Sequence, residues 1–135
     1  MDLFGSMTIA ASGMLAQDER IKVISENLAN ANSTALTPGG SPYRRQVVSF
    51  KDHFDRKVGA DVVQVAGVST DPSPFPLHYD PGNPAANAQG YVKMPNVNPL
   101  IEMVDLREAE RSYMANMSAV NAAKTMLMQT VSLLQ

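Results

Sequence analysis

Two histidines are the residues of this sequence best suited to acid–base or metal chemistry. His53 lies next to Asp52 and two positions before Asp55, and His78 lies two positions before Asp80. An imidazole near a carboxylate can act as a general base or a metal ligand. A metal site, however, needs three or four ligands in a defined cluster, and neither spacing follows a ligand pattern. We therefore expect both histidines to be loop or strand-edge residues, and we predict no catalytic residue, no metal site and no cofactor.

Two other features could bind phosphate or nucleic acid. The run from Pro38 to Pro42 contains two adjacent glycines, but no lysine follows it and a proline stands at each end, so we predict a turn. Arg44 and Arg45 would point to opposite faces of a strand, which favours a solvated strand over a basic patch. The net charge of -2 provides no broad positive field. We predict no nucleic-acid partner and no small-molecule substrate.

Length and composition limit the class of protein. The 135 residues suffice for one ordinary domain. No window approaches the roughly 18 apolar residues of a membrane span, and no basic stretch precedes an apolar run at the start. We therefore expect neither a membrane helix nor a cleaved signal peptide. Cysteine is absent, which excludes disulfides and thiolate metal sites.

The prolines divide the chain into three segments. All nine lie between Pro38 and Pro99, and proline interrupts helices. We predict an N-terminal helix in residues 1–32, a loop and a small β-rich, Pro-rich insert in 33–98, and a C-terminal helix in 99–135. The expected fold class is α+β, with the two long terminal helices forming a coiled-coil-like pair that flanks the insert.

The C-terminal helix has a clear beginning. Asn98 can cap it, Pro99 suits its first turn, and Glu102 lies near the positive end of its dipole. A helix of about 36 residues is roughly 54 Å long, more than a domain of this size can cover. Its apolar stripe must therefore meet another molecule in part.

Both terminal helices carry large apolar residues at seven-residue intervals, as a long packed seam requires. The residues that we predict to lie at subunit interfaces are Met7, Met14, Ile21, Ile24, Leu28, Leu106, Tyr113, Met117, Val120, Leu127, Val131 and Leu134. Gly13 interrupts the N-terminal row at a cost of about 1 kcal/mol relative to alanine. It either lets another backbone approach closely or is an incidental glycine on an exposed face.

The middle segment reads as short strands separated by turns. The predicted strands are Tyr43 to Phe50, Val62 to Ser69, Leu77 to Tyr79 and Tyr91 to Met94.

The C-terminal helix also carries a charged pair and several methionines. Glu108 lies three positions before Arg111. Oppositely charged residues at this spacing usually lie on a solvated face, and they can also set the register between neighbouring helices. The methionines of the C-terminal helix are mostly packing residues, although flexible thioethers also suit surfaces that fit several non-identical neighbours.

A motif in the first third of the chain resembles a known family. Ile24 to Asn32, followed by Thr37-Pro38-Gly39 and Tyr43, is similar to the N-terminal signature of the flagellar axial proteins, which are rod, hook and hook-associated subunits. The longer loop between the two halves of the motif is typical of the proximal-rod branch. The likeness covers nearly the whole chain. The residues that carry the motif are Asn27, Leu28, Ala29, Asn30, Ala31, Asn32, Thr37, Pro38, Gly39 and Tyr43.

The resemblance implies a structural, non-catalytic function. It implies a subunit of the proximal rod of a bacterial flagellum, which polymerises through its terminal helices and transmits torque from the motor to the hook. Its implied partners are other rod and basal-body subunits, further copies of itself, and the flagellar type III export apparatus. The subunit would be exported without a cleaved signal and assembled in the periplasm.

Two alternatives of other classes remain open from the residues alone. One is a small enzyme or ligand-binding domain whose terminal helices pack on the insert. The other is an intracellular adaptor that dimerises through the C-terminal heptads. Limited proteolysis separates the three: an assembly subunit loses both ends quickly, a compact enzyme loses neither, and a dimeric adaptor keeps only its C-terminal helix.

Overall fold

The computed structural model describes residues 3–133, so the predicted interface residue Leu134 lies outside the described residues. Two long helices stand at the two ends of this range, and four strands lie between them, which confirms the predicted α+β order. Within residues 3–133, neither helix combines the length and apolar character that a bilayer crossing requires. The elements are α1 (Leu3–Ala29), β1 (Gln46–Asp55), β2 (Ala60–Thr70), β3 (Leu77–Tyr79), β4 (Tyr91–Lys93) and α2 (Pro99–Ser132).

Helix α2 begins where the capping residues predict. Asn98 Oδ1 accepts a hydrogen bond from the Leu100 N–H at 3.1 Å, and the Asn98 carbonyl accepts one from the Glu102 N–H at 3.0 Å. The side chain thus satisfies a first-turn donor that has no partner within the helix. Pro99 is the first helical residue, and its missing N–H removes another such donor.

The strands form two separate two-stranded sheets. In the smaller sheet, β3 pairs antiparallel with β4, and Leu77 lies opposite Lys93. In the larger sheet, β1 pairs with β2. Strand β1 begins three residues later than predicted, because the Arg45 N–H donates to Asn96 Oδ1 at 2.8 Å instead of joining a strand ladder.

The chain divides into two compact units. In the described range, the first unit comprises residues 3–21, 48–67 and 107–133, and the second comprises Lys22–Val47 and Val68–Leu106. Each unit contains a part of α1, a part of α2 and a part of the segment between them.

Small residues form the core of the first unit. Gly13 lies against α2, where a Cβ atom at Gly13 would stand 2.8 Å from Asn116 Nδ2. A neighbouring group therefore approaches Gly13 closely, but it is the Asn116 side chain and not the backbone that the sequence hypothesis named. Ser12 Oγ also accepts a hydrogen bond from the Val63 N–H at 3.2 Å, which ties β2 to α1. The buried residues of this unit are Ala10, Ala16, Val62, Ala109 and Ala123.

The core of the second unit is partly polar. It buries the apolar residues Val23, Ile24, Ala31, Ala85 and Val92. It also buries two polar side chains, Asn27 at 1% exposure and Glu102 at 0%. Buried polar groups are stable only when their hydrogen bonds are made, so the partners of these two residues decide how this unit is held together.

Candidate functional site

A buried carboxylate organises the second unit. Glu102 Oε1 accepts a hydrogen bond from Arg45 Nε at 2.6 Å, and Glu102 Oε2 accepts one from Asn27 Nδ2 at 3.1 Å. A charge-assisted bond of this length is among the stronger hydrogen bonds in proteins. We call Asn27, Tyr43, Arg45, Asp71, Glu102 and Asp105 the Glu102 cluster.

Asn27 connects the end of α1 to the returning chain. Its Oδ1 accepts hydrogen bonds from the Gln46 N–H and from the Tyr43 hydroxyl, both at 2.9 Å. Its Nδ2 donates to the Gln46 carbonyl at 2.8 Å as well as to Glu102. The side-chain amide therefore pairs with the backbone of Gln46 as a neighbouring strand would. Asn27 and Tyr43 are both motif residues, so the structure assigns a physical role to these two positions.

Three carboxylates surround the Arg45 guanidinium. Besides Glu102, Asp71 Oδ2 lies 3.6 Å from Nη1 and Asp105 Oδ2 lies 3.7 Å from Nη2. Burial by itself lowers the pKa of Arg45, but the hydrogen bond and charge of Glu102, with the charges of Asp71 and Asp105, outweigh it and raise this pKa. The guanidinium therefore remains charged and compensates the buried carboxylate.

Two other groups of the Glu102 cluster have shifted pKa values. Hydrogen bonds from the Ser73 hydroxyl and the Ser73 N–H lower the pKa of Asp71, and Arg45 adds to this effect. Burial raises the pKa of Tyr43, and the negative charges of Glu26 and Glu102 raise it further. The Tyr43 hydroxyl is thus kept protonated, as its donation to Asn27 requires.

Arg44 holds the proline-rich segment that follows β2. Its Nη1 donates to the carbonyls of Asp71 and Ser73 at 2.9 and 3.0 Å, and its guanidinium carbon lies 4.1 Å from the centre of the Phe75 ring. The expectation that Arg44 and Arg45 lie on a solvated strand is therefore wrong. Both arginines precede β1. They provide hydrogen-bond donors and positive charge to the segment after β2, whose prolines have no backbone N–H to donate.

The remaining motif residues shape the exit from α1. Asn30 Nδ2 donates to the Glu26 carbonyl at 2.9 Å, and Ala31 is buried directly after the helix. The predicted turn is present, since the Gly40 N–H donates to the Thr37 carbonyl at 3.1 Å. Gly39 has a φ of 78°, in the left-handed region that favours glycine. The intervening motif residues are Leu28, Ala29, Asn32 and Pro38.

The histidines occupy exposed strand positions. His53 lies on β1, and His78 lies on β3 opposite Val92. Among residues 3–133, no group of three or more metal-binding side chains is close enough to hold an ion. The strand-edge expectation for both residues agrees with these placements.

Helix α2 exposes a large apolar surface. Its residues Val104, Met114 and Met128 are each 60% exposed or more. One isolated exposed apolar residue is ordinary, whereas many on one helix provide apolar area for contacts with other molecules. The large apolar residues that α2 exposes are Leu100, Ile101, Met103, Val104, Met114, Met117, Met126, Met128 and Val131.

Most of the predicted interface residues are half-buried. Ile24 is buried within the second unit, whereas Met117 and Val131 are exposed at 41% and 52%. The half-buried members are Met7, Met14, Ile21, Leu28, Leu106, Tyr113, Val120 and Leu127. These placements leave apolar area on both helices for contacts outside the chain.

Our prediction considered only large apolar residues and therefore missed a second row on α2, which consists of small residues. Ala109, Asn116 and Ala123 are also seven residues apart, and the two alanines are more deeply buried than any member of the predicted row on this helix. The seven-residue spacing of these small residues in the sequence could have predicted this buried row. Glu108, next to this row, lies 3.8 Å from Arg20 on α1. The charge on Glu108 therefore contributes to pairing of the two helices.

An exposed leucine on α1 separates two apolar grooves of the first unit. Leu15 is 73% exposed. One groove, of about 350 Å³, lies between Leu15 and Tyr113, with Met14 in its wall. The other, of about 390 Å³, lies between Leu15 and the part of β2 around Val63. Both grooves are open to solvent.

Two family descriptions match the chain. The family described as "Flagella basal body rod protein" matches residues 7–35, which include most of α1 and the first part of the motif, up to Asn32. The family described as "Flagellar basal body rod FlgEFG protein C-terminal" matches residues 88–133, which include β4 and α2. Both define one class, the flagellar basal-body rod proteins.

Curated relatives identify the group within this class. The chain is 47% identical to the flagellar basal-body rod protein FlgC of Agrobacterium fabrum, over 98% of this chain and 96% of the relative. It is 43% identical to FlgC of Escherichia coli O6:H1, over 98% of each chain. It is 42% identical to FlgC of Bacillus subtilis, over 98% of this chain and 99% of the relative. The chain therefore belongs to the FlgC family of flagellar basal-body rod proteins.

Proposed function

We propose that the chain is a non-enzymatic structural subunit of the proximal rod, which polymerises through its terminal helices and transmits torque from the motor to the hook. The observation that carries the proposal is the exposed apolar surface of α2, on a chain whose relatives are basal-body rod proteins. A rotating shaft requires many contacts distributed along its length. Each buried Leu, Val or Met side chain contributes roughly 1.5 to 3 kcal/mol before conformational entropy is subtracted.

The assembled form extends the pairing of the helices. In the rod, residues 1–32 and 99–135 form a coiled-coil-like core with neighbouring subunits, and residues 33–98 form the insert between them. The half-buried row of Tyr113, Val120 and Leu127 becomes fully buried there, because removing its remaining apolar area from water is favourable. The buried line of small residues keeps the two helices of one subunit together.

The partners and location follow from the same proposal. The subunit contacts other rod and basal-body proteins and further copies of itself, and it binds no nucleic acid or small-molecule substrate. It leaves the cytoplasm through the flagellar type III export apparatus without a cleaved signal peptide. It then joins the part of the rod that spans the periplasm. The rod names of the relatives support this assignment.

A pair of matched substitutions tests the proposal. Leu127→Asp places a charge in a seam that is dry in the assembly, where an unpaired ion is costly to bury. Gln129→Asp introduces the same charge two positions along, at an exposed site. Each variant replaces the native protein in a strain that lacks it, and hook–basal bodies are purified and counted. Leu127→Asp is expected to leave cells without hooks, and Gln129→Asp is expected to assemble.

A third substitution separates assembly from folding. Val131 is 52% exposed in the free chain, so Val131→Asp does not disturb the core of the first unit. It should also reduce assembly, while the circular dichroism of the purified chain remains that of the native protein. Normal hooks in both Leu127→Asp and Val131→Asp cells, or equal damage from Gln129→Asp, would contradict the proposal.

A further inference from the structure

Three exposed methionines lie on one side of α2 within the first unit. Met114, Met117 and Met128 are 60%, 41% and 63% exposed. Met117 follows Met114 by about one helical turn, and Met128 follows Met117 by about three turns, so the three side chains point in nearly the same direction. We call them the methionine stripe. Ala109 and Ala123, which are buried, lie on a different side of the helix.

The composition concentrates oxidation chemistry on these side chains. The chain contains nine methionines but no cysteine and no tryptophan. Thiolates are the usual first target of peroxides, and in their absence the thioether is the side chain that two-electron oxidants attack most readily. The rate of oxidation increases with exposure. The three residues of the methionine stripe are therefore accessible to oxidants in the first unit.

We propose that the methionine stripe is an oxidation site that decides whether a free subunit can enter the assembly. In the reaction a thioether sulfur attacks one oxygen of hydrogen peroxide, and the proton of that oxygen is lost. A sulfur–oxygen bond forms, the oxygen–oxygen bond breaks, and the departing hydroxide is protonated to water. The sulfur loses two electrons and the peroxide gains them, so the products are methionine sulfoxide and water.

The physical consequence is a change of polarity at a surface that must be buried. A sulfoxide has a strong dipole and a hydrogen-bond acceptor, whereas a thioether is apolar and flexible. Burying three such acceptors without donors opposes association. This inference rests on the proposed function, because it needs α2 to pack against neighbouring subunits. Once packed, the stripe is covered and protected from further oxidation.

The chemical part is tested on the purified chain and on purified hook–basal bodies. Both are treated with hydrogen peroxide, and sulfoxide at each methionine is followed by peptide mass spectrometry. In the free chain the three stripe methionines should oxidise at rates close to that of free methionine. In hook–basal bodies they should oxidise at least about tenfold more slowly, because exposure controls the rate. Equal rates in the two samples would overturn the inference.

The functional part is tested with a mimic and a matched control. Met128→Gln resembles the sulfoxide in size and polarity. Ala119→Gln places the same side chain at an exposed position outside the exposed apolar surface, two positions after Met117 and therefore on another side of α2. In a strain that lacks the native protein, Met128→Gln should lower the number of hook–basal bodies per cell at least about threefold, as polar replacements in packed surfaces do. Ala119→Gln should leave it unchanged.

A resistant variant completes the test. Met114→Leu, Met117→Leu and Met128→Leu together keep the stripe apolar and remove the oxidisable sulfur. Cells with this triple variant should assemble normally and should continue to assemble during a peroxide pulse that halts assembly in native cells. Equal sensitivity of the two strains would overturn the inference. If Leu127→Asp blocks assembly while Met128→Gln does not, the proposed function stands and the oxidation site is wrong.

Discussion

Asn27 and Glu102 are 75 positions apart in the sequence, yet Asn27 Nδ2 donates a hydrogen bond to Glu102 Oε2 at 3.1 Å, and both side chains are buried. The contact joins the last turns of α1 to the first turn of α2. Arg45 reaches the other oxygen of the same carboxylate. In the second unit the two helices are therefore connected by a hydrogen bond between buried polar side chains, in addition to its apolar core.

Removing the Asn27 amide should destabilise the second unit. Asn27→Ala leaves the Gln46 N–H and carbonyl and the Tyr43 hydroxyl without their partner in a water-poor site. We expect a loss of about 2 to 4 kcal/mol in the free energy of unfolding, because each buried group left unpaired costs about 1 to 3 kcal/mol. Urea denaturation followed by circular dichroism measures the change.

A neighbouring asparagine provides the control for this change. The half-buried Asn30 side chain donates to the Glu26 carbonyl of its own helix turn and accepts from the Ser33 hydroxyl. Asn30→Ala should lower the free energy of unfolding by less than about 1 kcal/mol, the usual net value of such bonds. If the two variants unfold at the same urea concentration, Asn27 does not have the role that its contacts indicate.

Gly13 and Asn116 should show energetic coupling. In the Asn116→Ala background, Gly13→Ala should stabilise the chain by about 1 kcal/mol, because alanine is the better helix former and the space is free. In the native background the new methyl group displaces the Asn116 amide, whose Nδ2 would lie 2.8 Å away. That displacement offsets the gain. The four urea denaturation curves of a double-mutant cycle should give a coupling of about 1 kcal/mol, and additive effects would contradict the close approach.

Stability should depend on pH through Asp71. Its pKa is lowered from the usual value of 3.8 by Ser73 and Arg45, so the folded chain binds fewer protons at this site than the unfolded chain between the two pKa values. The contribution of Asp71 to the free energy of unfolding is therefore fully present above pH 3.8. It is lost as the pH falls through the lower pKa of the folded chain. Asp71→Asn keeps an acceptor for Ser73 but cannot titrate.

Urea denaturation at several values between about pH 2 and pH 6 measures this dependence. The midpoint of the native chain should fall more steeply on acidification than that of Asp71→Asn, and the difference between the two should be largest above pH 3.8. Parallel curves would show that Asp71 has the same pKa in the folded and unfolded chain.

The two histidines should be dispensable. His53 and His78 are exposed on strands, and substitution of exposed residues away from special contacts usually changes stability by less than about 0.5 kcal/mol. His53→Ala and His78→Ala, singly or together, should leave motility in soft agar and the number of hook–basal bodies unchanged. A non-motile double variant with normal protein levels would show a function for these residues that the assembly proposal does not include.

Local signals in the sequence determined the main elements. Asn98 and Pro99 set the beginning of α2, because capping and the missing proline N–H act within one turn. Leu77–Tyr79 is a strand as predicted. Helix α1 covers Leu3–Ala29 and ends three residues before the predicted boundary at residue 32. The family followed from the motif, since its residues are contiguous or nearly so.

Only the tertiary structure decided which side chains meet. Arg45 and Glu102 are 57 positions apart, and periodicity within a helix contains no information about a partner on a distant loop. The same reason explains why Ala109 and Ala123, rather than the larger residues beside them, are the most deeply buried residues of α2 in the first unit. The packing of two helices is set by both surfaces together, and at Gly13 the Asn116 side chain occupies the space that a Cβ atom would need.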